Sequence, residues 1–234
     1  MRRAKNDDMF YAMLGYVAGR ESNGNIPFVS GLDVTCVSED RLKSFCAAFG
    51  TSGSVPMCHI EGVTPESFSQ QQCDESVTIT ESMFREVWRN LNSKNDDDDE
   101  EENDGRVDLV ALGNPHFSLT EMESLRELCE QKRVHKKVSF IVTTARDILE
   151  ATPDQTLHSL EEFGVKFVTD TCWCMLEEPV IPIDPSSVVM TNSAKYAHYG
   201  PGLVNRNFRF GNLSACVDAG VSGSMKRIVP DWLS

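Results

Sequence analysis

Four short stretches in the second half of the chain concentrate reactive side chains: "GNPHFS" (113–118), "VTTAR" (142–146), "TDTCWC" (169–174) and "TNSAK" (191–195). Together they offer amide, imidazole, guanidinium, carboxylate, thiol, hydroxyl and ammonium groups. Cys172 and Cys174 form a C-x-C pair, and thiolates of this kind suit zinc or iron-sulfur ligation. The same pair also reads as two small buried hydrophobes. A structural zinc site would need about four ligands, and no second closely spaced cysteine pair is present to complete one. Lys195, beside Ser193 and Asn192, could hold a phosphate or carboxylate as a point charge among neutral donors. Alternatively it is a helix-start lysine with a solvated head. His116 follows Pro115 in a loop, where a histidine serves as a base or as a hydrogen-bonded structural group.

Other chemistries fit less well. Ser193, His198 and Asp170 contain the residue types of a hydrolytic triad, yet no G-x-S-x-G elbow is present to strain a nucleophile. The glycine-rich patches "GTSGSV" (50–55) and "GVSGS" (220–224) lack both the P-loop ending and the G-x-G-x-x-G spacing, so nucleotide binding is not supported.

The elements that must position these groups alternate between strand and helix. "IPFVSGL" (26–32) and "VPMCHI" (55–60) read as strands. Between them, Leu42, Phe45, Cys46 and Phe49 recur at helical spacing behind Ser38, which predicts a helix over 38–49. A second helix over 80–91 places Met83, Phe84, Val87, Trp88 and Leu91 on one face. Further strands are expected at 107–112, 137–144, 165–171 and 187–192. Ser118 and Glu121 have capping-box spacing at the start of another helix, and helical stretches fall near 145–151, 154–163 and 213–220. The stretch from Gly200 to Gly202 reads as a turn. Such alternation predicts an α/β layered fold with a mostly parallel sheet. Ligands in these folds gather at the carboxyl ends of strands, where all four reactive stretches lie.

Bulk properties bound the remainder. The chain has 234 residues, ample for a buried core, with 40% hydrophobic and 25% charged residues. No apolar run approaches the ~20 residues of a membrane helix, so no membrane partner is expected. The basic, then amphipathic N-terminus is interrupted by Asp7 and Asp8 and lacks a cleavage pattern, which argues against a secretory signal. Eight cysteines without a disulfide-like framework favour reduced thiols and a cytoplasmic setting, with a mitochondrial presequence as the alternative. The formal charge of −14 owes eight negative charges to seven consecutive acids at 96–102 and Asp104, which leaves about −6 for the rest. There is no basic stripe with interleaved aromatics, so nucleic acid is not an expected partner. The segment 92–105 reads as an acidic, disordered insertion separating 1–91 from 106–234.

Taken together, "DDMFYAMLGYVAG", "CAAFGTSGSVPMCHIEGVTPE", "VALGNPHFSLTEMESL", "SFIVTTAR", "VTDTCWCM", "MTNSAKYAHYGPGL" and "RFGNLSACVDAGVSG" resemble the aconitase X family. That family includes phosphomevalonate dehydratase and cis-3-hydroxy-L-proline dehydratase. The matches are collinear, and they correspond to about the C-terminal half of the family's large-subunit domain. The resemblance implies an aconitase-like three-layer α/β/α architecture, in which 1–91 and 106–234 are parts of one domain. It also implies a hydro-lyase that removes water from a small 3-hydroxy acid with an iron-sulfur cluster, 4Fe-4S or 2Fe-2S. Cys172 takes the cluster-cysteine position of "TDTC", and Lys195 of "NSAK" takes a substrate-contacting position, with Ser193, Asn192 and His116 as further substrate-side residues.

Three departures from the family shape the expectation. Archaeal phosphomevalonate enzymes carry "G-C-P-H" where this sequence has Asn114 at the cluster-ligand position, and an amide is a poor substitute for a thiolate on iron. Asn114 therefore favours cis-3-hydroxy-L-proline as substrate, with (R)-5-phosphomevalonate second. The family's upstream half, with its own cysteine motif, has no counterpart in these residues. The family's catalytic base, a serine on a small swivelling domain or subunit, is also outside them. The expectation is a partial catalytic domain that is inactive alone, retains its cluster weakly if at all, and depends on the N-terminal half and the small domain as partners. The alternative is a truncated, non-catalytic paralogue acting as a binding or assembly module.

Overall fold

A computed structural model of the chain describes residues 7–66, 72–92, 105–225 and 229–233. The acidic run read as an insertion lies outside the described residues, except for its ends at Asn92 and Gly105. The chain divides into two compact units, residues 1–89 with 229–234 and residues 90–228. Among the described residues no helix is long and apolar enough to cross a membrane.

The first unit is built on helices. Helix α1 (Asp8–Glu21) is buried on most of its circumference and starts at Asp7, whose carboxylate accepts from the Met9 amide at 3.0 Å. Helix α2 (Glu39–Ser52) begins at the predicted cap, Ser38. Gly15 of α1 lies directly against the α2 backbone: a Cβ there would sit 2.1 Å from the Phe45 carbonyl oxygen. Two helices approach this closely only where one presents no side chain. Strands β1 (Phe28–Val29) and β2 (His59–Ile60) form a short parallel pair, much shorter than the expected runs over 26–32 and 55–60. Helix α3 (Glu81–Asn92) contributes Phe84, which stacks on Phe10 at 5.5 Å and meets the Trp232 ring edge-on at 5.8 Å.

The second unit is an α/β layered domain. Five parallel strands, β3 (Leu109–Phe117), β4 (Ser139–Thr144), β5 (Val165–Thr169), β6 (Val188–Thr191) and β7 (Asn207–Phe210), run in the order β5-β4-β3-β6-β7. Strand side chains alternate between faces. On one face Val110, Leu112, Phe140 and Val142 pack with Met122 and Leu125 of α4 (Leu119–Cys129), Leu160 and Phe163 of α6 (Asp154–Phe163), and Cys216 and Val217 of α8 (Leu213–Ser222). On the other, Leu109, Ala111, Ile141 and Val189 pack with Trp173, Ile181, Tyr196 and Phe208. Helix α7 (Ala194–Val204) belongs to this second layer, so the domain is three layers, α/β/α. Short helix α5 (Arg146–Ala151) follows β4.

The structure departs from the sequence expectation at three points. The "GNPHF" segment is a continuation of β3 rather than a loop, with the β4 register shifting between Leu112 and Phe117. The expected turn at Gly200 to Gly202 is helical: α7 runs through Pro201 and ends at Asn205, whose left-handed backbone (φ 50°) places its amide 3.1 Å from the Pro201 carbonyl. Asn92 closes α3 and is buried, its side chain exchanging two hydrogen bonds with the Phe210 backbone at 3.2 and 2.9 Å. The capping box at Ser118 and Glu121 forms in full.

Substituting Gly15→Ala forces α1 away from the α2 backbone. We expect destabilisation of the first unit by at least about 1–3 kcal/mol, the usual cost of overpacking. Urea unfolding followed by circular dichroism measures it.

Candidate functional site

The chain enters the sheet of the second unit at its centre, on β3, and places β4 and β5 on one side and β6 and β7 on the other. The connections leaving β3 and β6 diverge there, which makes the gap beyond their carboxyl ends a topological switch point, the usual ligand crevice of open α/β sheets. Asn114, Ser193 and Lys195 all follow from these two strands, and Cys172 follows from β5.

The end of β3 is shaped by Gly113. Its backbone is left-handed (φ 93°), and a Cβ there would lie 2.0 Å from the Thr143 carbonyl oxygen. The Thr143 hydroxyl donates to the Gly113 carbonyl at 2.6 Å, which locks this kink to β4. Asn114 follows, joined to Pro115 by a cis peptide bond, and is 4% exposed. Its carbonyl accepts from the Ser193 hydroxyl. Ser193 also caps α7 by accepting from the Tyr196 amide at 3.1 Å, and its own amide donates to the Thr191 hydroxyl at 3.2 Å.

Cys172 immediately precedes a one-turn 3-10 helix, Trp173–Met175, and Cys174 lies within it. Trp173 is fully buried, and its indole N–H donates to the Leu112 carbonyl at 2.7 Å. The indole anchors the turn to β3 and leaves the flanking cysteines half-buried. His116 holds the turn from the other side: its Nε2 is 2.7 Å from the Thr171 carbonyl. A carbonyl only accepts, so Nε2 carries the hydrogen. The chain returning to β6 is fastened by buried Arg206, whose guanidinium donates to the Pro182 and Ile183 carbonyls at 2.9 and 3.0 Å and to the Glu178 carboxylate at 2.6 Å.

Charge and burial act together on the thiols. Burial pushes the Cys174 thiol up, and the neighbouring Cys172 adds to this; the Lys195 ammonium and the Asn114 amide work in the opposite direction. Burial raises Tyr196 strongly, with Cys174 and Cys172 adding to the effect. Asn114, Lys195 and Tyr196 therefore all lie close to the C-x-C pair. The Asn114 Nδ2 and the Tyr196 hydroxyl are both buried without a hydrogen-bond partner among the described residues.

The structure gathers five of the six expected residues, Asn114, His116, Cys172, Ser193 and Lys195, at these strand ends. The sixth, Asn192, is half-buried beside Ser193 and makes no side-chain hydrogen bond to a described residue. The hydrolytic triad is not assembled. Ser193 donates to a backbone carbonyl, Asp170 is bound to Arg146, and His198 is exposed with its ring edge-on to Tyr199. Tyr196 was not foreseen; its signal is its position three residues after the cap Ser193, adjacent to Lys195.

Family models described as the aconitase X second domain and the aconitase X third domain match residues 1–89 and 107–222. The chain belongs to the aconitase X family. A cis-3-hydroxy-L-proline dehydratase of Hypocrea jecorina is 46% identical over 100% of this chain, and one of Pseudomonas aeruginosa is 44% identical over 97%. A phosphomevalonate dehydratase large subunit of Methanosarcina mazei is 31% identical over 93% of the chain and 50% of its own length. The chain spans 39% of the two hydroxyproline dehydratases, so it corresponds to a part of those proteins. The crystal structure of Thermococcus kodakaraensis aconitase X (holo-form) shares the fold, with a TM-score of 0.70 at 23% identity over 91% of this chain and 52% of that one. The match bears out the three-layer α/β/α architecture that the family resemblance implied.

The residues present fit an iron-sulfur group in part. Two thiols stand together with buried donors around them, which is the chemistry of a sulfur-ligated site. Among the described residues no third histidine, cysteine, aspartate or glutamate joins them.

Two outcomes are expected. Ser193→Ala removes the α7 cap and strips the buried Asn114 carbonyl of its donor, which should cost about 2 kcal/mol or more in urea unfolding. Asp170, left-handed at φ 57°, accepts from the Arg146 backbone amide at 3.0 Å and from its guanidinium, which holds its carboxyl below the usual range. This contribution is complete above an ordinary aspartate pKa of about 3.9 and is lost as pH falls through the lower folded value. Asp170→Asn suits the same backbone. The stability gap between wild type and variant should therefore be constant at neutral pH and shrink below about pH 4, as read from melting temperatures across the pH range.

Proposed function

We propose that this chain supplies the cluster- and substrate-holding half of a hydro-lyase acting on cis-3-hydroxy-L-proline or a closely related small hydroxy acid. The observation that carries the reading is the 44–46% identity to two cis-3-hydroxy-L-proline dehydratases across essentially the whole chain, against 31% for the archaeal phosphomevalonate relative. The composition of the site supports it. Lys195 makes no ion pair with a described residue and stands at the switch point, where its ammonium meets the substrate carboxylate. Asn192 extends the same edge as a neutral donor and acceptor. His116 keeps its Nε2 hydrogen on Thr171 and fixes the C-x-C turn against β3.

Elimination breaks a C–H bond next to the carboxylate and a C–O bond at the adjacent carbon, forms a C=C bond and releases water. An iron-sulfur group bound at Cys172 would supply a Lewis acid for the departing hydroxyl. The base that takes the proton belongs to a small domain or subunit outside these residues, so the chain alone does not turn over substrate. Met175, directly after Cys174, is a large, exposed apolar side chain, the kind of surface that the remaining segments would cover.

The test is to purify the whole protein containing these residues without oxygen and follow loss of water from cis-3-hydroxy-L-proline and from (R)-5-phosphomevalonate by mass spectrometry. Turnover of the first is expected. Turnover of neither would favour a non-catalytic binding module and overturn the proposal. Lys195→Ala should lower kcat/KM about 10–100-fold, the worth of one charge-assisted hydrogen bond.

A further inference from the structure

Two buried donors around the C-x-C turn have no hydrogen-bond acceptor among the described residues: the Nδ2 of Asn114, which is 4% exposed, and the hydroxyl of Tyr196, which is fully buried. Leaving such a group unsatisfied costs about 1–3 kcal/mol. The Cys174 sulfur lies near both, and the Cys172 sulfur lies near Tyr196. A neutral thiol is a weak acceptor, whereas a metal-bound thiolate is a good one, and hydrogen bonds to ligating sulfur are a regular feature of such centres.

The turn itself is built to present both sulfurs. Trp173 is buried and tied by its indole to the Leu112 carbonyl, and His116 holds the Thr171 carbonyl, so the residues on either side of Trp173 have little freedom. Asn114 is held as firmly, through the Ser193 hydroxyl on its carbonyl and the Thr143 lock on the preceding glycine. Its amide is a poor ligand for iron but a suitable donor to sulfur.

We propose that Cys174 is a second sulfur ligand beside Cys172, and that Asn114 serves this pair as an N–H donor rather than as a ligand. The inference rests on the reading above that a sulfur-ligated iron group sits at this turn. It assigns to Cys174 a role that the cluster-cysteine position at Cys172 does not supply.

Cadmium(II) alone is a suitable probe, because its thiolate charge-transfer absorbance reports sulfur ligation without activity or a reconstituted cluster. The reduced chain is titrated as wild type, Cys172→Ser and Cys174→Ser, with folding checked by circular dichroism. Each variant should lose a comparable part of the absorbance and bind at least about tenfold more weakly, since even outer-shell losses reach that size. In the wild-type chain, alkylation mapped by mass spectrometry should show Cys172 and Cys174 both protected by cadmium, an outcome independent of any variant's folding. Cys174→Ser with wild-type absorbance and affinity, or Cys174 alkylated at the same rate with and without cadmium, would overturn the inference. If Cys172 alone responds, the cluster reading stands and only the role of Cys174 falls; if neither responds, both fall.

Discussion

Ser193 joins the two halves of the parallel sheet at the point where they diverge. Its hydroxyl donates to the Asn114 carbonyl at the end of β3 and accepts from the Tyr196 amide at the start of α7. One oxygen thereby fixes the spacing between β3 and β6 strand ends, the direction of α7, and the placement of Lys195 and Tyr196 on its first turn. The carboxyl ends of parallel strands expose backbone groups that no ladder continues, and an open switch point would flood them with water. A short side chain capable of both donating and accepting resolves this locally, which explains why a serine in this place is structural rather than nucleophilic.

The rest of the site depends on two anchors of the same kind. Trp173 reaches across to the Leu112 carbonyl, and Thr143 reaches to the Gly113 carbonyl. Each is a side-chain donor on one strand-end segment capturing a carbonyl of β3. The central strand thus acts as the acceptor rail for its neighbours' loops. This is possible because the β3–β4 register shifts between Leu112 and Phe117 and because Gly113 turns its backbone in a way that L side chains rarely adopt. Loops carrying reactive groups become precise only when a rigid element holds them.

Much of this was legible in the sequence, and the parts that were not have physical reasons. Helices α2 and α3 announce themselves by apolar spacing, and Ser38 and Ser118 mark the starts of α2 and α4 by cap chemistry, because these are local interactions. The strand ends carrying Asn114, Cys172 and Lys195 follow from alternation and the parallel-sheet rule. The continuation of β3 through "GNPHF" was hidden because glycine and proline normally end a strand, and the partners that stabilise the exception are distant in sequence, Thr143 by 30 residues and Ser193 by 79. Helix α7 running through Pro201 was hidden for the same reason. Tyr196, which the sequence reading passed over, is a core aromatic whose ring packs at 5.4 Å on Trp173 and 5.0 Å on Phe208. Only its hydroxyl belongs to the site, and a sequence does not say which end of a tyrosine matters.

The unsatisfied groups carry the final argument. A buried asparagine amide and a buried tyrosine hydroxyl, each without a hydrogen-bond partner among the described residues, would be replaced at little cost by leucine and phenylalanine if stability were the only demand, since apolar isosteres remove the desolvation penalty. Both lie at the same strand ends, next to the same pair of sulfurs, whereas Ser193, Thr143 and Trp173 around them are fully engaged. Satisfied polar groups form the frame and unsatisfied ones face inward on it. That division separates the groups that hold the strand ends together from those left available beside the C-x-C turn, the Asn114 amide and the Tyr196 hydroxyl.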